Sequence, residues 1–311
     1  MRAVVVREFG TPESLSIEQV EAPRPGPDEI LVEVEAVGVN FVDLLVIGGT
    51  YQFLPPRPFT PGKLPAGRVI AIGDNVKRFA VGDRVLTTAE QGGYAEQAVA
   101  LAEHCYRIPD SMPFTDAAAM ALAFDTAWFA LHERGRLRAG ETVLVLGATG
   151  AVGLAAIQLA KAFGARVIAG VSSMSKADIV TTAGADGVVD LSVENLRDGL
   201  RDQVHALTDG RGADVVIDSL GDRFFAAALR AMAWCGRLVV VGFAAGEIPS
   251  VKVYRKRMPA RMRECFEQIF ALYEQGAVRA PRMSVRPLDG FAQALAEIRD
   301  RKSKDRIVLT P

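Results

Sequence analysis

The residues best placed to do chemistry are three glycines, Gly147, Gly150 and Gly153, at the spacing G-x-x-G-x-x-G. They follow a continuous apolar run, Val143 to Leu146, of the kind found in strands buried on both faces of a parallel sheet. After them, Ala151 to Phe163 has helical periodicity, and Gly164 supplies a left-handed stop. Strand, glycine turn and helix form the first unit of a dinucleotide-binding fold. Without side chains, the glycines let the backbone approach a pyrophosphate and let helix and strand pack closely. The helix N-terminus presents free N–H groups and the positive end of its dipole to the phosphates. Turns collect glycine for steric reasons alone, so the triplet carries weight because of what flanks it. On this reading Gly147, Gly150 and Gly153 bring the main chain up to the pyrophosphate.

In such folds an Asp or Glu about 20 residues past the glycines usually holds the adenosine ribose 2′-hydroxyl. Here the second strand ends in GVSSMSKAD, with Ser172 and Ser173 at its tip and Lys176 close behind. Hydroxyls and an ammonium without an acid suit a ribose 2′-phosphate, so we expect NADP(H) rather than NAD(H). Ser173 or Ser175 could equally serve as a helix N-cap with Lys176 solvated; the two roles are compatible.

Metal and nucleophile signatures are missing. The histidines (His104, His132, His205) and cysteines (Cys105, Cys235, Cys265) form no C-x-x-C or H-x-x-x-H spacing. His104 and Cys105 are adjacent and, in a strand, would point to opposite faces. No G-x-S-x-G elbow occurs. The three cysteines are widely spaced and indicate no disulfide framework, so a reducing cytoplasm is the expected location. A net charge of −1 and 23% charged residues exclude nucleic acid as the main ligand. No apolar run reaches transmembrane length, and MRAVVVREFG reads as a strand rather than a signal peptide.

The elements that must position these groups fall into two regimes. Up to about residue 122, short β-like runs (Ala3–Arg7, Ile30–Val39, Gly67–Gly73, Arg84–Thr87, Tyr94–Ala100) are separated by turn-rich stretches such as APRPGPDE and FLPPRPFTPGKLP. In EILVEVEAVGV, Ile30, Val32 and Val34 alternate with Glu33 and Glu35, a half-buried antiparallel strand. This predicts a small irregular barrel. A helix over 116–133 leads into the glycine strand, and strands then alternate with helices: 166–171, 176–183, 187–190, 194–207, 213–218, 223–233 and 237–241. Such alternation predicts a parallel sheet covered on both faces. Helices over 258–275 and 289–300 and a last strand, RIVLTP, complete the chain. The fold class is therefore α/β.

Several segments together carry a family resemblance: GVNFVDLLVIGGTY (38–51), TPGKLPAGRVIAIGDNVKRFAVGDRV (60–85), GGYAE (92–96), GETVLVLGATGAVGLAAIQLAK (140–161), GADVVIDSLG (212–221) and GRLVVVGFAAGEIP (236–249). In order and spacing the chain resembles the zinc-independent medium-chain dehydrogenase/reductases of the quinone oxidoreductase (zeta-crystallin-like) group. The resemblance implies a GroES-like domain, residues 1–123 completed by 280–311, and a Rossmann NADP(H)-binding domain over 124–279. Zinc-dependent relatives have a ligand cysteine at the position of Asn40 and a G-H-E motif where this chain reads Gly62-Lys63-Leu64. Both changes remove ligands, so no metal is expected.

By resemblance, Asn40, Asp43 and Tyr51 line the cleft near the nicotinamide as candidate catalytic residues, the Thr126 hydroxyl reaches the cofactor, and Thr149, Gly150, Ala151 and Val152 face the pyrophosphate. Ser219, Leu220 and Gly221 with Gly242, Phe243 and Ala244 border the nicotinamide side. Asp43 could instead serve a turn or an ion pair, and Tyr51 could be a core or rim aromatic. Leu191 departs from the family, which often has a tyrosine there that packs on the adenosine phosphate; this weakens the NADP(H) argument without cancelling it. A larger departure follows GEIPSVKV. Relatives continue with an apolar segment that pairs two subunits, whereas this chain passes from Val253 straight to YRKRMPARMRECFEQ. We expect intervening residues, with Val253 and Tyr254 well beyond the ~3.8 Å of bonded neighbours, and a homodimer if that segment exists.

With no metal and no nucleophile, the chemistry must come from the cofactor. The expected reaction is NADPH-dependent hydride transfer to a small electron-poor acceptor, a quinone or an α,β-unsaturated carbonyl, with Asn40 and Tyr51 orienting it. FLPPRP (53–58) is either a mobile rim over the substrate or a rigid proline turn. An enoyl-thioester or alkenal reductase on the same scaffold, and a non-catalytic NADPH-binding structural or regulatory protein, are the alternatives.

Overall fold

The computed structural model describes residues 1–242 and 258–311. Phe243, Ala244 and the Val253–Tyr254 junction lie outside the described residues. In chain order the strands and helices are β1 (Arg2–Val5), β2 (Ser16–Gln19), β3 (Glu29–Gly38), α1 (Phe41–Ile47), β4 (Ala66–Ile72), β5 (Arg84–Thr87), β6 (Gln97–Leu101), β7 (Cys105–Arg107), α2 (Phe114–Met120), α3 (Ala123–Trp128), β8 (Thr142–Leu146), α4 (Ala151–Ala162), β9 (Arg166–Val171), α5 (Ala177–Thr182), β10 (Gly187–Asp190), α6 (Leu196–Leu207), β11 (Ala213–Asp218), α7 (Arg223–Ala231), β12 (Met232–Val240), α8 (Pro259–Glu274), β13 (Met283–Pro287), α9 (Phe291–Arg299) and β14 (Arg306–Thr310). The chain divides between Leu122 and Ala123 into two units. The first also takes in Ala280–Pro311 and the part of α8 ending at Phe270, and the second takes in Ala271–Arg279.

The first unit is built on β3. Its alternation holds as read: Ile30, Val32 and Val34 are buried while Glu33 and Glu35 are exposed. One end of β3 pairs with β6 and the other with β14, while β4 runs antiparallel along most of its length. The sheet order is β13-β14-β3-β4-β5-β7, with β6 off that path on β3. The C-terminal strand β14 thus sits between β13 and β3. Its Ile307 and Leu309 join Val4, Val37, Val39, Ile47 and Tyr94 in one apolar core.

The second unit contains a five-stranded parallel sheet in the order β10-β9-β8-β11-β12. Every residue of β8 is buried, as a central strand covered on both faces requires. From β8 the chain steps outward through β9 to β10, then crosses back to β11 on the other side. The reversal creates a crevice outside the C-terminal ends of β8 and β11, where open α/β sheets bind ligands. Arg237 fastens β12 to the rest of the unit: its guanidinium grips Glu141 through two bonds of 3.0 and 2.7 Å and donates to the Gly135 carbonyl at 2.8 Å.

The single helix expected over 116–133 is interrupted. Leu122 has φ +61°, a left-handed conformation that an α-helix of L-residues cannot carry through, so α2 ends and α3 starts afresh. A π-helical stretch, Phe129–Arg134, follows α3. Among the described residues no helix is long and apolar enough to cross a membrane.

Candidate active site

In the second unit the glycine turn joins β8 to α4, and two of its glycines are sterically required. Gly147 has φ +71°. A Cβ on Gly153 would lie 2.5 Å from the Gly147 carbonyl oxygen and 2.7 Å from the Ala148 Cα, so the first turn of α4 rests directly on the loop. Gly150 differs. It is exposed, and a Cβ there would meet nothing but the Gly147 oxygen at 3.3 Å. As the N-cap of α4 it offers no side-chain acceptor. The N–H groups of the first turn, Ala151 to Gly153, therefore have no intrahelical partner, and the turn is exposed at Gly150 and Ala151, an arrangement that can receive a phosphate.

Across the crevice, Ser219–Gly221 follow β11. The Asp218 carboxylate is buried and its Oδ1 accepts the Leu220 and Gly221 N–H groups at 2.9 and 3.0 Å. Those two amides are thereby committed to the protein. The other Asp218 oxygen and the Ser219 hydroxyl are buried without a hydrogen-bond partner among the described residues. Buried polar atoms are rarely left this way, and such orphans beside a ligand crevice fit a polar guest. Leu220 closes on Gly147, where a Cβ would stand 3.1 Å from the leucine side chain, and Gly242 is adjacent, with its N–H 3.4 Å from the Asp218 carbonyl.

At the tip of β9, Ser173 caps the short 3-10 turn Met174–Lys176. Its Oγ accepts the Ser175 N–H at 3.3 Å and lies 2.8 Å from the Ser175 hydroxyl. Ser172 and Lys176 are exposed, and Lys176 makes no ion pair among the described residues. The tip is a cap and, at the same time, a cluster of hydroxyls beside an uncommitted ammonium. Thr126, on α3, donates to the buried Asp125 carboxylate at 3.3 Å.

In the first unit the structure brings Asn40 and Asp43 together in a buried polar cluster at the start of α1. Asp43 Oδ2 accepts the Asn40 backbone N–H at 2.8 Å and the Tyr94 hydroxyl at 2.9 Å. The Asn40 side chain donates to the Gly38 carbonyl at 2.9 Å and accepts from Arg306 at 2.5 Å. Arg306 also donates to the carbonyls of Val39 at 2.6 Å and Ala119 at 3.2 Å. Burial pushes the Asp43 carboxyl up to about 6, although the Asn40 and Tyr94 hydrogen bonds and the charges of Lys63 and Arg306 oppose the shift. Burial, with the Asp43 charge beside it, raises the Tyr94 phenol as well.

Tyr51 follows α1 and is half-buried. The Lys63 ammonium lies 5.0 Å from its ring centroid, a cation–π contact. Lys63 is 3% exposed and is ion-paired to the Glu90 carboxylate, with a second hydrogen bond to the Glu90 carbonyl at 3.2 Å. The sequence marks Lys63 only as a lost ligand; its charge, buried within a β-rich domain, was the signal available. Tyr94 stands in GGYAE, but neither that motif nor Arg306 at the start of RIVLTP points to Asp43 or Asn40, because these partners are distant in sequence.

Family models match both parts of the chain: an alcohol dehydrogenase GroES-like domain over residues 26–110 and a zinc-binding dehydrogenase domain over residues 151–266. A quinone oxidoreductase-like protein 2 homolog of Nematostella vectensis is 36% identical, covering 99% of this chain and 88% of its own length. The chain belongs to the quinone oxidoreductase family of medium-chain dehydrogenase/reductases. Quinone oxidoreductase-like protein 2 of Mus musculus is 35% identical over 99% of this chain and 92% of its own. A mycobacterial quinone oxidoreductase structure superposes with a TM-score of 0.91 at 32% identity, covering all of both chains. The Escherichia coli quinone oxidoreductase, solved in complex with NADPH, gives 0.87 at 26% identity, again over all of both chains.

The zinc that one family description names does not fit the residues present. Lys63 places an ion-paired ammonium where a ligand would stand, and the Asn40 amide is committed to Gly38 and Arg306. A buried cation repels a metal ion, and neither group is a good zinc donor.

Proposed function

We propose that this protein is an NADPH-dependent oxidoreductase that reduces a quinone or similar electron-poor carbonyl acceptor without a metal. The observation that carries the reading is the glycine turn with an uncovered Gly150 face, in line with a β9 tip that holds Ser172, Ser173 and Lys176 and no acid. Gly147 and Thr149 to Gly153 hold the pyrophosphate, and the serines with Lys176 hold the ribose 2′-phosphate. Thr126, Ser219 to Gly221 and Gly242 border the nicotinamide. NADPH, when bound, supplies the hydride.

The protein's own part is to bind, to orient and to exclude water. Ser219 Oγ and Asp218 Oδ2 have hydrogen-bonding capacity to spare for a polar guest. Asp43 acts as a positioning residue: by holding the Asn40 N–H and the Tyr94 hydroxyl it fixes where α1 begins, and with it the loop that leads to Tyr51. The names of the relatives support a quinone as acceptor.

The test is NADPH and NADH oxidation in parallel across 1,4-naphthoquinone, an alkenal and crotonyl-CoA, with and without prior dialysis against a chelator. Quinone turnover that prefers NADPH and survives chelation is the expected result. Turnover confined to crotonyl-CoA or the alkenal would make the enzyme a C=C reductase instead, and tight NADPH binding with no turnover would leave a binding protein.

A further inference from the structure

Within the first unit lies a cavity of about 770 Å³ whose wall is divided by chemistry. Val46, Phe53, Leu54, Pro55 and Pro56 supply an apolar side, and the charged side sets Lys63 among Glu29, Glu90 and Glu103. The volume lies in the range of small-molecule sites, and a mostly apolar wall with a few fixed polar groups is their usual make-up.

Lys63 is an unusual wall residue. An ammonium has three N–H donors. Two of those on Lys63 go to Glu90, to its carboxylate and its backbone carbonyl, and the third has no acceptor among the described residues. Glu90 and the Tyr51 ring hold the ammonium in place, so the spare donor is pre-aimed rather than mobile. His104, also in the wall, has its Nε2 buried without a hydrogen-bond partner among the described residues. A buried charge normally saturates its hydrogen bonds, and one left an acceptor short beside an apolar slot is suited to a ligand with a single strong acceptor.

We propose that this cavity is the acceptor pocket and that Lys63 is its specificity-determining residue, donating one charge-assisted hydrogen bond to a carbonyl oxygen of a flat dione or enone. The apolar wall takes the ring face, and Glu90 holds the ammonium in place. The kind of acceptor rests on the function proposed above; the pocket and the role of Lys63 are tested apart from it. The pocket selects for a carbonyl, not merely for a flat apolar ring.

The experiment measures equilibrium binding to the full chain without nucleotide, by dialysis, using 2,3-dimethyl-1,4-naphthoquinone and 2,3-dimethylnaphthalene. The two probes share fused rings and differ in the carbonyls. Wild type is expected to prefer the dione by on the order of tenfold to a hundredfold, the range of a hydrogen bond to a charged group. Lys63→Met is expected to abolish the preference and leave hydrocarbon binding and NADPH affinity in place. Glu90→Gln keeps an oxygen beside Lys63 but removes the opposing charge, so the dione preference should rise several-fold; a purely structural ion pair would predict no rise. Equal binding of the two probes by wild type, a preference that persists in Lys63→Met, or a preference that is flat or falls in Glu90→Gln would each overturn the proposal. If Lys63→Met does not fold, Glu90→Gln decides alone. A Lys63-dependent preference without quinone reduction would overturn the proposed activity and leave the pocket standing.

Discussion

Burial raises the Asp43 carboxyl to about 6, so the folded protein holds this proton at pH values where the unfolded chain has released it. Stability from this group is therefore full below the unfolded value near 4 and is lost as pH rises through about 6. Between pH 5 and pH 7.5 the loss is roughly 1–1.5 kcal/mol. Asparagine keeps an oxygen for the Asn40 and Tyr94 donors and cannot ionise. Asp43→Asn is thus expected to cost less stability at pH 7.5 than at pH 5, by about that difference, as read from urea midpoints at both values. At the β9 tip, Lys176→Glu should weaken NADPH binding on the order of tenfold more than NADH binding in parallel calorimetric titrations, since it sets a carboxylate against the extra phosphate. Equal losses would remove Lys176 from the phosphate site. Asn40 and Asp43 were legible as a pair only because the family resemblance pointed to GVNFVD. Their partners Tyr94 and Arg306 were not, because hydrogen bonds across 51 and 266 residues leave no local pattern.

At the scale of elements, the β8–turn–α4 unit was readable almost residue by residue, because its constraints are local: an apolar run, glycines where side chains would collide, and a helical period. Gly153→Ala should destabilise the protein by about 1–3 kcal/mol, the usual range for overpacking, since its Cβ would press on the Gly147 oxygen and the Ala148 Cα. The same substitution should weaken NADPH binding by displacing the first turn of α4; a thermal melt and a titration check both effects. Elements governed by distant contacts were harder to read. The left-handed Leu122 divides what looked like one helix, and nothing in ALAFDTAWFAL marks the break. Helix α1 and strand β13 have no clear sequence signal because each is short and acquires its identity from neighbours: α1 from the Asp43 bonds, β13 from β14.

For the whole molecule, the α/β class and the change of rhythm near residue 122 followed from strand-like runs giving way to strand–helix alternation. That the last strand belongs in the first unit could not come from periodicity, because RIVLTP would serve equally well at the edge of either sheet. The structure places β14 between β13 and β3 and routes Arg306 to the Val39, Asn40 and Ala119 oxygens. Arg306→Met should cost about 3 kcal/mol by stranding three buried acceptors, and a chain ending at Ser303 should lose the first unit altogether. Urea unfolding followed by far-UV dichroism would show the first as a lowered midpoint and the second as a lost share of β signal.

Residence of β14 beside β3 also sets an order of events at the ribosome. Chains emerge N-terminus first and domains tend to fold as units. The parallel sheet that starts at β8 has all of its described strands out well before β14 appears, while the Val37–Gly38 end of β3 waits without that partner. Until those final residues emerge, the newborn protein carries an exposed strand edge, and that interval is when it would most depend on a chaperone.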